Sequence, residues 1–247
     1  MMSVQAAIIF ELDNQIVFTL GEWLKQAQKS YNAQLQLLNV PSGAPPEAPR
    51  LLFSAPTFSA HIGLNRMDIF ISIPDQVKSS IDSCLDYCYK TSIVFAQLLF
   101  SDALKYDWCG IITTLNYPNR DKPQPSLKNV EKIMPYITKI DSKGRDIASF
   151  NLHIGFKEPP FFKNITLNGY EQIQIQIPAD GNAMLRQINI NEAAVEESGV
   201  SILVDINNIP QDPKGAFEDD FSHVIQKNKD SSKSILDELN LGGILDD

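Results

Sequence analysis

At 247 residues, 43% of them hydrophobic, the chain is long enough to bury a full core, which excludes disorder throughout. Its 21 Lys and Arg against 30 Asp and Glu leave a formal charge of -9, and the densest basic stretch, 139–145, has Asp141 among its positive charges. Direct binding to a nucleic-acid backbone is therefore not expected. The opening MMSVQAAIIFELDNQ lacks a basic region and reaches Glu11 and Asp13 after a short apolar run, so it does not read as a signal peptide, and nothing approaches the roughly 18 uninterrupted apolar residues of a membrane span. The expectation is a cytoplasmic protein with no membrane partner.

In chain order, Ala6 to Leu12 and Ile16 to Leu20 read as strands joined by a turn at Asp13-Asn14, and residues 21–30 as a helix. Pro41 to Pro49 carries four prolines in nine residues, which lack the donors a helix or central strand needs, and predicts a loop. Leu51 to Ser54, Phe58 to Leu64 and Asp68 to Ile73 follow as strands. From Pro74-Asp75 to about Leu104 the apolar residues fall at helical spacing and crowd toward the end, predicting one long helix with Phe95 and Leu99 buried against a sheet. Trp108 to Leu115 reads as a strand, and Tyr117 to Pro125, with three prolines, as a boundary. Beyond it, 147–156, 165–167, Glu171 to Ile177, 184–190 and 200–206 read as strands, and a helix begins at Phe217. The alternation E-Q-I-Q-I-Q-I predicts a half-exposed antiparallel strand able to pair at an edge.

The segments F-S-A-H-I-G-L around His61 and F-N-L-H-I-G-F around His153 share F-x-x-H-I-G. The strand and helix patterns predict an α+β fold, antiparallel sheets with long helices, and the echo is either coincidence or duplication; as duplication it makes two related halves of sheet plus helix over 1–120 and 126–240, packed side by side or sharing one sheet, with a flexible tail at 241–247. His61 and His153 would then sit on equivalent strands, with Gly63 and Gly155 permitting close approach.

The catalytic candidates are few, since no phosphate-binding, dinucleotide, nucleophile-elbow or zinc-protease motif occurs, and no cofactor or metal is expected. The histidines are His61, His153 and His223. His61 and His153 could pair across a pseudo-symmetric interface for metal or acid-base chemistry, or be two strand histidines on a half-polar face. Asp205, following Ile202-Leu203-Val204, is a buried carboxylate needing a partner, a solvent-face residue alongside Leu203 and Asn207, or a residue of an edge strand. Cys84 and Cys88, four apart, read as buried thiols or a thiolate pair lacking further ligands, and with Cys109 as reduced. Residues 218–220, all acidic, suit a helix N-terminal turn.

The stretch GVSILVDINNIPQ followed by FEDDFSHVIQKNKDSSKSILDEL resembles the C-terminal half of a sporadically distributed bacterial family of uncharacterised two-part α+β proteins. The resemblance implies a bacterial or phage cytosolic setting and no reaction. The chain is therefore expected to be a non-enzymatic protein-binding or scaffold protein, acting on a protein partner or by self-association. The alternatives are a hydrolase-like enzyme with a carboxylate and histidine site between the halves, and a virion or phage structural component. For docking, the candidates are Leu239 and, past the Gly242-Gly243 break, Ile244, Leu245, Asp246 and Asp247; the other reading is that the stripe of Ile235, Leu236 and Leu239 completes the last helix against its own core and that 242–247 is a frayed end.

Overall fold

Period-two alternation sets out most of the sheet. In the strand Met2–Phe10 (β1), Val4, Ala6 and Ile8 are buried on one face, and in Arg66–Ile71 (β5) Met67, Ile69 and Ile71 are buried beside them. The computed structural model describes residues 2–10, 25, 28–29, 31–77, 80–99, 106–118, 150–174, 194–208 and 217–239. The remaining strands are Gln34–Leu37 (β2), Leu51–Ser54 (β3), Phe58–Ile62 (β4), Tyr106–Pro118 (β6), Asn151–Glu158 (β7), Phe161–Gln174 (β8) and Ala194–Asn208 (β9). All pair antiparallel in one nine-stranded sheet of order β2-β3-β4-β5-β1-β6-β9-β8-β7.

Among the described residues, the helices Ile81–Leu99 (α1) and Phe217–Leu239 (α2) pack on the sheet and cover one face. Ser80 starts α1, its hydroxyl accepting the Ser83 backbone N–H at 3.1 Å. Leu85, Cys88 and Tyr89 of α1 and Phe221, Val224 and Ile225 of α2 join the inward residues of β1, β6 and β9 in one core. At the β3 and β4 end, the Tyr31 ring meets Phe58 edge-on at 5.2 Å, closing the core where no strand lies beyond β2 among the described residues.

The α+β class stands, with several corrections. The single long helix expected from Pro74 is a short 3-10 turn at Asp75–Val77 and then a 19-residue α1, because the cap at Ser80 restarts the chain. Side chains of 94–99 lie outside the described residues, and with them the expected burial of Phe95 and Leu99. The residues EQIQIQI do not begin a strand of their own. Glu171 to Gln174 are the end of the 14-residue β8, which pairs continuously with β9 apart from a register shift after Gln172.

The expected division into two related halves at 117–125 gains no support, and residues 119–125 lie outside the described residues. β6 runs through Tyr117 to Pro118 and pairs with both β1 and β9, so the sheet is continuous across the expected boundary. Each run does return its last strand beside its first, β5 beside β1 and β9 beside β6, before a helix. The F-x-x-H-I-G segments nevertheless fall on non-equivalent strands: β4 stands two places from β1, whereas β7 stands three from β6 at the sheet edge. The glycines differ too. A Cβ on Gly63 would meet the Pro46 and Glu47 carbonyl oxygens at 2.7 and 2.8 Å, whereas one on Gly155 would meet only the Asn164 side chain, at 3.1 Å. Residues 11–20, 119–149, 175–193 and 240–247 lie outside the described residues, and with them the strands expected at 16–20 and 184–190 and the expected tail.

Candidate functional site

The two faces of the sheet are unlike. On the helix side, coverage fades from the centre to the β7 edge. Val204 of β9 is fully buried, its cross-strand neighbour Ile165 of β8 is half-buried, and Ile154 of β7, opposite Ile165, is 38% exposed. Phe156 on the same face is 40% exposed. The reason lies in the helices: α2 packs mainly on β6 and β9, and α1 on β5 and β1, and among the described residues α2 meets β7 through the Lys227 ion pair with Glu158 at the strand's end.

β7 is also the last strand of the sheet among the described residues, bonded on one side to β8 from Asn151↔Asn168 to Glu158↔Phe161 with no break in register. Among the described residues no strand pairs with its other backbone edge. Natural edges are commonly blunted by proline, bulges, inward charges or brevity. β7 is eight residues, regular, free of internal proline, and carries Lys157 as its one cation before Glu158. The opposite edge, β2, has four residues, with Leu37 exposed at its end.

The end of β7 is anchored electrostatically. Glu158 accepts Lys227 Nζ of α2 at 2.8 Å and Lys163 Nζ of β8 at 2.9 Å. These two ammonium groups, Lys227 first, hold its carboxyl down at about 2. Lys163 also lies over the Phe156 ring at 4.9 Å. The edge strand is therefore tied to α2 at one end while its middle is open.

The outer face, away from the helices, is polar. Asp205 lies there with Leu203 and Asn207, as one of the sequence readings has it, and is half-buried. The Asn164 amide donates to it at 3.1 Å and the Asn207 amide at 3.3 Å, so the carboxylate is held by neutral donors rather than by a cation. His61 packs its ring against Phe70 at 4.9 Å, beside the cluster in which Arg66 and Gln5 both donate to Asp68. His153 shares a hydrogen bond with the Thr166 hydroxyl at 2.9 Å. Both histidines face the same side, but six strand spacings separate β4 from β7, about 29 Å at the usual spacing. They do not form one site. His223 is exposed on α2. Among the described residues no group of three or more His, Cys, Asp or Glu side chains is gathered to hold a metal ion.

The three cysteines are free and buried. Burial pushes the Cys88 thiol up to about 12, and burial likewise raises Cys109. Asp220 of the acidic turn at 218–220 accepts the Tyr106 hydroxyl, whose own ionisation is raised by burial and then by that carboxylate. In the C-terminal stripe, Ile235 is buried and Leu236 packs against the core, so this part of α2 completes its own fold. The Leu239 side chain and Ile244, Leu245, Asp246 and Asp247 lie outside the described residues.

Sequence reasoning passed over the β7 edge and a buried polar hub. At the hub, Asn228 of α2 is fully buried. Its Nδ2 donates to the Ile111 and Val204 carbonyls at 2.9 and 3.0 Å, and its Oδ1 accepts from Tyr89 and Thr113 hydroxyls at 2.8 and 2.6 Å. This joins both helices to β6 and β9. Lys229 to Asp86 and Lys233 to Asp82, the latter at 2.6 Å, clamp α2 to α1 on the outside. No family profile, curated protein or solved structure matches the chain.

Proposed function

We propose that this is a non-enzymatic protein-binding protein of a bacterial or phage cytosolic system, which takes an extended segment of a protein partner as a further strand on the β7 edge. One observation carries the reading: a regular eight-residue strand at the sheet edge with Ile154 and Phe156 exposed beside it. An added strand would satisfy the outward backbone groups, and its alternate side chains would lie over Leu152, Ile154 and Phe156, which is how strand addition combines affinity with specificity. The absence of any helix, among the described residues, long and apolar enough to cross a membrane accords with that setting.

The test is photo-crosslinking in the native cell, with a crosslinking amino acid at residue 154 and, as control, at the exposed Ser222 of α2. The expected result is a defined protein adduct from residue 154 alone. Adducts from neither position, or equal adducts from both, overturn the proposal.

A further inference from the structure

We infer that the segment received by β7 is β7 of a second copy of this chain, forming a two-fold dimer with a continuous sheet. This rests on the strand-acceptor reading above and names its partner. The β7 edge is complementary to itself. Strands facing one another across a two-fold axis run antiparallel, so residues directly opposite share a face. Only pairings that set even-numbered residues against even ones keep the exposed Ile154 and Phe156 on the helix side of both copies.

Two such registers lie at the centre of the strand. With Gly155 opposite itself, His153 would face Lys157 of the second copy, two nitrogen bases of like sign when protonated, and Leu152 would face Glu158. With Ile154 opposite itself, Leu152 faces Phe156, Asn151 faces Lys157, and His153 faces Gly155, where no side chain competes for the space. The second register opposes no like charges and joins six apolar side chains, three from each copy, into one stripe on the helix side. A two-fold axis normal to the sheet keeps the helices of both copies on that side, so α1 and α2 do not obstruct the approach.

One pair of eight-residue strands is a small interface, so the dimer should dissociate on dilution. The test is sedimentation across a concentration series, with two variants at the exposed position and one beside it. Wild type should pass from monomer to dimer. Ile154→Lys sets two ammonium groups opposite each other and should be monomeric throughout, with its melting temperature checked to show that it folds. Ile154→Cys should give a disulfide-linked dimer on mild oxidation, since directly opposed Cα atoms lie about 4.5–5.5 Å apart, within disulfide reach. Phe156→Cys should not, being displaced about 13 Å from its own copy. Wild type oxidised in parallel controls for the three buried native cysteines.

A chain that stays monomeric up to about 1 mM, the weakest affinity of practical meaning, overturns the inference. So does a dimer indifferent to Ile154→Lys, or one linked through Phe156→Cys and not Ile154→Cys. A monomeric chain whose residue-154 photo-adducts still contain another protein removes self-pairing alone. Loss of those adducts as well removes the strand-acceptor reading with it.

Discussion

Asn228→Leu removes the amide at the centre of the buried hub while keeping a side chain of similar volume, so the cost comes from stranded polar groups rather than from a cavity. Three hydroxyls, those of Tyr89, Thr113 and, more weakly at 3.4 Å, Ser232, lose an acceptor, and two carbonyls, Ile111 and Val204, lose a donor. The Tyr89 and Thr113 hydroxyls stand 3.5 Å apart and can partly serve each other, which leaves one of that pair stranded, the Ser232 hydroxyl without its long bond, and two under-bonded carbonyls. At about 1–3 kcal/mol for a stranded group, and less for a carbonyl already in a sheet, the loss is about 2–5 kcal/mol. Urea unfolding should show a lower midpoint with an unchanged slope. Tyr89→Phe, which leaves Thr113 on the Asn228 oxygen, should cost only about 0.5–1.5 kcal/mol. The double variant should lose less than the sum, because the Tyr89 hydroxyl is no longer there to be stranded. A cost of Asn228→Leu within about 0.5 kcal/mol of wild type, or strict additivity with Tyr89→Phe, would refute the hub as described.

Glu158 is held down by Lys227 and Lys163, so its folded carboxyl titrates below its unfolded one and its contribution is present above the unfolded value, near 4.3. The stability difference between wild type and Glu158→Gln should be level above about pH 5 and vanish as pH falls toward 2, amounting to about 1 kcal/mol or less at this exposed position; a difference that persists at the acid limit would show that packing, not charge, is lost. A thiol reagent at pH 8 should label none of the three cysteines in the folded protein and all three in denaturant, since burial suppresses the thiolate; prompt labelling of Cys88 would contradict its burial. Gly63→Ala drives a Cβ into the carbonyls of Pro46 and Glu47, which are backbone and cannot swing aside, and should cost about 1–3 kcal/mol in urea unfolding, with wild-type stability as the contrary result.

How far the sequence could be read depends on what its periodicity measures. Leu51 to Ser54 and Phe58 to Ile62 were legible because alternating burial reproduces their apolar alternation, and the proline run at 41–49 was legible because missing donors are a local fact. The restart at Ser80 was not, since Val77, Ile81, Cys84 and Leu85 keep helical spacing across the cap, and spacing alone carries no record of a break. The histidine echo misled for a related reason. F-x-x-H-I-G records two similar alternating segments, whereas equivalence depends on which strand each pairs with, a long-range property absent from seven residues.

Asp205 and Asn228 show the same limit within the candidate surfaces. The outward placement of Asp205 follows from alternation with Ile202, Val204 and Ile206, but the Asn164 amide that helps hold it comes from another strand. Asn228 reads as one more polar residue on a polar helix until Thr113 and Tyr89 are brought against it. β7 inverts the problem. Leu152, Ile154 and Phe156 carry the pattern of a core strand, and the sequence marks them as inward; position in the sheet leaves them half uncovered, because the two helices are spent on β5, β1, β6 and β9. An edge strand with core composition is a liability unless something pairs with it. That mismatch between what β7 is made of and where it stands is what points to a partner strand.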